Sequence, residues 1–181
     1  TENFNGQYIP IGADSQISIN PFDLSSDDTE AKDQKIKFLT SLVELMTKEE
    51  DEKGIRKLQR AEIEMMIKSI MQSAPDPRLS DLKNKLLANP DESIQKMGKI
   101  LEPWCGDTPY GKFIDQNTNL SLDKKIVCLD LKGLENLPDL QAVCLFLITD
   151  LIWREVQKDK INQKFVIFDE SWTLLDNDAG A

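Results

Sequence analysis

The chain opens on a period of two. Ile17 and Ile19 alternate with Ser18 and Asn20, which predicts a strand. Tyr8, Ile9 and Ile11 lie between Gly6 and Gly12, so short strands are expected at 7–11 and 16–20. Pro21 ends the second, because proline holds the residue before it in extended geometry. From 26 to 102 the period becomes three and four. Ile36, Leu39, Leu42, Val43 and Met46 share one helical face behind Asp27 and Asp28. Gly54 closes a charged bend over 48–53. A second helix is expected to turn Ile55, Leu58, Ile63, Met66, Ile67 and Ile70 inward, until Pro75 and Pro77 break it. Ser80 suits the N-cap of a third helix at 81–88. A fourth, at 92–101, puts Ile94, Met97 and Leu101 on one side, and Pro103 stops it. Four amphipathic helices with short links predict a small bundle. Its Met65, Met66 and Met71 read as core filling before they read as an adaptable binding surface.

Past Trp104 the pattern changes again. Residues 106–111 are turn-rich. Ile126, Val127, Cys128 and Leu129 begin a continuous apolar run to Leu131 that predicts a buried strand. Pro138 opens a strong helix, with Leu140, Val143, Cys144, Leu147, Ile148, Leu151 and Ile152 repeating at three and four. Leu145, Phe146 and Trp153 widen that stripe, so cover on two sides is expected. A polar link over 158–164 leads to Phe165, Val166, Ile167 and Phe168, a second buried strand by composition. Strand, helix and strand within about forty residues predict a βαβ crossover with parallel neighbours.

Composition narrows the function. The 181 residues suit one domain, or one domain with an insertion. The net charge of −10 argues against direct nucleic-acid binding by this segment, which needs a basic face. With no histidine, Ser-His-Asp and Cys-His catalysis and His-ligated zinc are excluded. Cys105, Cys128 and Cys144 show no CxxC spacing and read as reduced, buried thiols. No apolar run approaches the length of a membrane-spanning helix, and no signal peptide is visible. The first residue is Thr, which suits a fragment of something longer.

The sharpest chemical signal is the apolar run 165–168 followed by Asp169 and Glu170, the pattern of a Walker B motif. A buried strand would deliver Asp169 to the carboxyl edge of the sheet, where it could hold Mg²⁺ through water. Glu170, on the other side of the strand, could polarise an attacking water. A competing signal runs from Gly106 to Gly111, Lys112 and Phe113. It matches G-x-x-x-x-G-K, but Phe113 stands where a P-loop needs a hydroxyl for Mg²⁺. No strand is expected before it, so a turn leading into an edge strand is the better account. Asp130 is a second strand carboxylate, expected to be structural. Trp104, Trp153 and Trp172 are too scattered for a stacking platform.

In their order these pieces resemble the ATPases of type IV secretion and conjugative transfer, the TraC kind, within the FtsK/HerA-like motor class. The resemblance rests on several segments: Gly6 to Ile11; Ile19 to Phe22; Pro103 and Trp104; the turn ending in Phe113 to Leu120; Ile126 to Leu134 and the long crossover helix; and Phe165 to Trp172, with Asp169, Glu170, Ser171 and Trp172, followed by Leu174 and Leu175. The helical block matches by position and character only.

The resemblance implies an α/β fold: a partial RecA-like P-loop NTPase sheet with an inserted all-helical bundle. Residues 1–25 and 103–181 would belong to the ATPase core, and 26–102 to the insertion. The Walker A loop is expected upstream of Thr1. Asp169 would be the Mg²⁺ residue and Glu170 the catalytic one. ATP and Mg²⁺ are implied for the complete protein, and none is expected on this fragment, which alone should be inactive. The family implies a hexameric ring, a homo-oligomer, on the cytoplasmic side of the inner membrane, in contact with other secretion-system components. Two rival readings stand beside it. One is a non-catalytic scaffold of a secretion apparatus; the other is a small NTPase using Lys112 in a variant phosphate loop.

Overall fold

The computed structural model describes residues 5–12, 14–24, 26–48, 54–158 and 162–169. Among the described residues two parallel strands and six α-helices follow one another as β1 (Gln7–Gly12), α1 (Thr29–Thr47), α2 (Lys57–Ser73), α3 (Leu79–Leu87), α4 (Glu92–Ile100), α5 (Gly111–Ile114), β2 (Val127–Gly133) and α6 (Pro138–Lys158). The fold is α/β. No helix among the described residues is long and apolar enough to cross a membrane.

The four helices from α1 to α4 form because each carries its own apolar face. Leu39, Leu42, Val43 and Met46 of α1, Ile63, Ile67 and Ile70 of α2, Leu79, Leu82 and Leu86 of α3, and Ile94 of α4 are buried in one continuous core with the sheet and α6. Asp28 caps α1 by accepting from the Ala31 N–H at 2.8 Å. The third helix begins earlier than Ser80 suggests. Arg78 is its N-cap residue, and its backbone N–H donates to the carboxylate of Asp81, in the first turn, at 2.9 Å. Leu58 departs from the sequence expectation: it sits in the first turn of α2 and is exposed. Where α3 meets α4, Gly98 lets the helices close. A Cβ there would lie 2.9 Å from Leu87 Cγ.

β1 and β2 pair in parallel, with Gln7 opposite Val127, Ile9 opposite Leu129, and Gly12 opposite Gly133 after an irregularity past Pro10. The crossover between them is the whole run from α1 to α5. The expected strand at 16–20 is absent as a strand. That segment is instead tied to 117–119: Ser18 N–H donates to Asn119 Oδ1 (2.9 Å), Asn119 N–H to Ser18 O (3.1 Å), and Asn20 N–H to Thr118 Oγ1 (2.7 Å). Side chains have taken ladder positions, so the backbone pairing stays too short for a strand.

The expected buried strand at 126–131 forms, but only half buried, and Ile126 is exposed. Among the described residues the sheet has two strands, so each keeps one unpaired edge. Cys128 is exposed rather than buried, while Cys105 and Cys144 are buried as expected. Helix α6 buries Leu140, Val143, Cys144, Leu147 and Ile148, but Trp153 is exposed and only one face is fully covered.

The largest departure is at 165–168. The expected buried strand and its βαβ crossover with β2 are not formed. The segment has no regular structure, and Phe165 and Ile167 are 86% and 87% exposed. An apolar run becomes a buried strand only by pairing at a sheet edge under cover, and neither β1 nor β2 takes it.

Candidate functional site

The carboxyl ends of parallel strands are where open α/β sheets take ligands, because the connecting loops part there. In this fold both strand ends carry glycine. Gly12 and Gly133 face each other so closely that a Cβ on Gly133 would lie 2.8 Å from Gly12 Cα. Beyond them opens a cleft of about 690 Å³, lined among others by Asp14, Ser15, Lys112, Gln116 and Asn119, with Leu140 from the first turns of α6. Ser15 Oγ is buried with no hydrogen-bond partner among the described residues. The cleft thus combines hydroxyl, amide, ammonium and carboxylate groups at the expected edge. It is suited to binding a polar ligand.

One wall of the cleft is the loop that carries the G-x-x-x-x-G-K pattern. It turns on Gly106, whose φ of +68° favours glycine. Asp115 is buried, and its carboxylate accepts from Gly106 N–H at 2.7 Å and from Ser80 N–H at 2.9 Å. Gly111 N–H donates to Thr108 Oγ1 (2.8 Å), Lys112 N–H to Thr108 O (3.0 Å), and Phe113 N–H to Tyr110 O (3.0 Å). A phosphate cradle needs such N–H groups free, and here they are engaged within the protein. A one-turn 3-10 helix, Glu102–Trp104, precedes the loop, not a strand, and Trp104 packs on Tyr110 at 4.7 Å. The phosphate-loop reading of Lys112 is not supported by this geometry. The expected edge strand is corrected too: the loop enters the short helix α5, whose Phe113 and Ile114 are buried.

Asp130 projects from β2 across to β1. The Tyr8 hydroxyl donates to its carboxylate, and Lys132 N–H donates at 2.9 Å. The Tyr8 bond, then the Lys132 bond, holds the Asp130 carboxyl below its ordinary range, and the same partnership raises the Tyr8 phenol. The pair clips the two strands together, which is the structural role expected of Asp130.

Asp169 lies at the exposed end of segment 162–169, and Glu170 falls outside the described residues. Among the described residues no group of three or more Cys, Asp and Glu is placed to hold a metal ion.

An α/β fold with a long helical excursion between parallel strands is the class the architecture defines. No family model matches the sequence, and no curated protein matches it either. Among solved structures, the chain is similar to VirB4 of Thermoanaerobacter pseudethanolicus, with a TM-score of 0.74 over 97% of this chain at 15% identity. It spans about half of that VirB4 chain (50%). At this identity the likeness shows a shared fold.

Proposed function

We propose that this chain is part of the motor domain of a type IV secretion ATPase related to VirB4. The observation that carries the proposal is the fold match over nearly the whole chain, met independently by the resemblance of its ordered segments to the secretion and conjugation ATPases. Within that reading the chain contributes part of a RecA-like core with a helical insertion, and the phosphate cradle comes from polypeptide outside it. Asp169 would hold Mg²⁺ through water, and Glu170 would orient the water that attacks the γ-phosphate. Both need the 165–168 segment paired into a larger sheet than the two strands described. The ring, the cytoplasmic position at the inner membrane and the contacts with secretion components belong to the same proposal.

The test is ATP turnover by a longer polypeptide that includes the full motor domain. Glu170→Gln should remove most of the rate while nucleotide binding persists. An unchanged rate would refute the assignment. The exposure of 165–169 favours one second reading, a non-catalytic scaffold on the same fold. It predicts that the longer polypeptide binds no nucleotide.

A further inference from the structure

Helix α3 takes part of its N-terminal support from outside the bundle. The first N–H groups of a helix have no partner within it. For Ser80 N–H the acceptor is Asp115 Oδ1 at 2.9 Å, 35 residues further along the chain. The helix dipole also favours a carboxylate at that end. The second oxygen of Asp115 accepts from Gly106 N–H at 2.7 Å, at the turn that starts the cleft loop. Arg78, the N-cap residue of α3, strengthens the joint, because its Nη2 donates to Asn117 Oδ1 at 2.7 Å. Asn20 Nδ2 donates to Pro77 O at 3.1 Å, and Asn20 N–H to Thr118 Oγ1 at 2.7 Å. Ser18 Oγ donates to Asn117 O at 2.5 Å. Segments 18–20, 77–80 and 115–118 thus meet in one polar joint. Ser18, Asp107, Lys112, Gln116 and Asn119, beside or between these residues, line the cleft at the strand ends. On its far side α3 is locked to α4, where a Cβ on Gly98 would lie 2.9 Å from Leu87 Cγ.

We infer that this joint couples the α3/α4 hairpin to the strand-end cleft: displacing α3 slackens the cleft wall, and a ligand that tightens the wall steadies α3. The coupling follows from one short side chain with two duties. Apolar contacts tolerate small slides, whereas a hydrogen bond weakens steeply with angle and distance. If α3 shifts, the Asp115 carboxylate cannot follow Ser80 and still hold Gly106. Either loss leaves a buried carboxylate short of a donor, which is costly. The two states are the closed joint and a locally opened one, in which α3 has let go of Asp115. Because the linkage is a free energy, it acts equally in both directions. The helical excursion thereby gains a role beyond packing, since a load on α3 and α4 is felt at the carboxyl ends of β1 and β2. The inference is independent of the ATPase reading.

The experiment is native-state amide hydrogen exchange of the ¹⁵N-labelled chain, followed by NMR. Gly98→Ala pushes α3 through Leu87, away from the joint. The reporters are the Ser18, Gly111, Lys112 and Asn119 amides of the cleft wall, whose acceptors are Asn119, Thr108 and Ser18 rather than Asp115. They should exchange roughly fivefold faster or more, while the amides that pair β1 with β2 change less. In an Asp115→Asn background the same Gly98→Ala change should lose most of its effect on the wall. Asn117→Ala is the second variant, and it decides alone if Gly98→Ala does not fold. Asn117 is exposed, and its loss frees Arg78 without opening the core. Exchange should then quicken both at the wall and at the Asp81 and Ala88 amides of α3. Three results would each overturn the inference: quickened α3 amides with the wall unmoved, one uniform factor at every amide including the strand pairs, or an undiminished Gly98→Ala effect without Asp115.

Discussion

Asp115 shows how one side chain can fix a loop. It is buried, and its two oxygens serve Gly106 and Ser80, residues of different elements. Asp115→Ala should lower stability by about 2–4 kcal/mol, because two backbone N–H donors lose a charged acceptor. Urea unfolding measures this, and Asp115→Asn should lose less. Burial pushes the Lys35 ammonium down to about 8 from 10.5. Between those values the unfolded chain holds more protons than the folded one, so this group makes stability rise with pH across the window. The buried thiols of Cys105 and Cys144, pushed up to about 12, act in the opposite sense above pH 9. The difference between wild type and Lys35→Met isolates the lysine. Wild type should gain on the variant from pH 8 to 10.5, and parallel curves would refute the assignment. The same burial predicts thiol chemistry. A maleimide or disulfide reagent should modify Cys128 rapidly in the native chain, and Cys105 and Cys144 only after unfolding.

At the scale of elements, close approach is carried by glycine. A Cβ on Gly133 meets Gly12 Cα and Ile11 O, both at 2.8 Å, and one on Gly111 meets the Cys105 carbonyl carbon at 2.6 Å. Backbone cannot step aside as a flexible side chain can. Alanine at either position should cost about 1–3 kcal/mol. Gly106→Ala meets open space and should cost about 1–2 kcal/mol for its positive φ alone. Thermal melts of the three variants check the ranking. The long helices were legible in the sequence because each repeats its apolar period over several turns, as α1 and α6 do. The shortest helix was not. Helix α5 has four residues, and its place depends on Asp115 and Gly111, contacts no local pattern contains. Likewise the start of α3 was set by Asp81 reaching back to Arg78, while Ser80 N–H was claimed by Asp115. The apolar run at 165–168 encodes a demand for a sheet partner without naming one. The cleft at the strand ends draws on 12–18, 107–119 and 134–140, so only the fold could assemble it. Asp150 and Arg154, four apart on one helix, form an ion pair that Lys35 joins only through packing.

For the molecule as a whole, Phe165 and Ile167 expose large apolar surfaces that the two-stranded sheet does not cover. Replacing both with serine should leave unfolding free energy within about 0.5 kcal/mol. The same change should reduce self-association in sedimentation, since exposed apolar runs seek strand or surface partners. The pairing of the two strands has a further consequence, for the order of events during synthesis. Tyr8 and its partner Asp130 lie 122 residues apart. At about 5–20 residues per second, β1 is made roughly 6–24 s before its partner exists. Closing so large a loop is slow compared with forming local helical contacts. The helices from α1 to α4 are therefore expected to fold around an unpaired β1, which stays open to chaperones and to mispairing until β2 arrives.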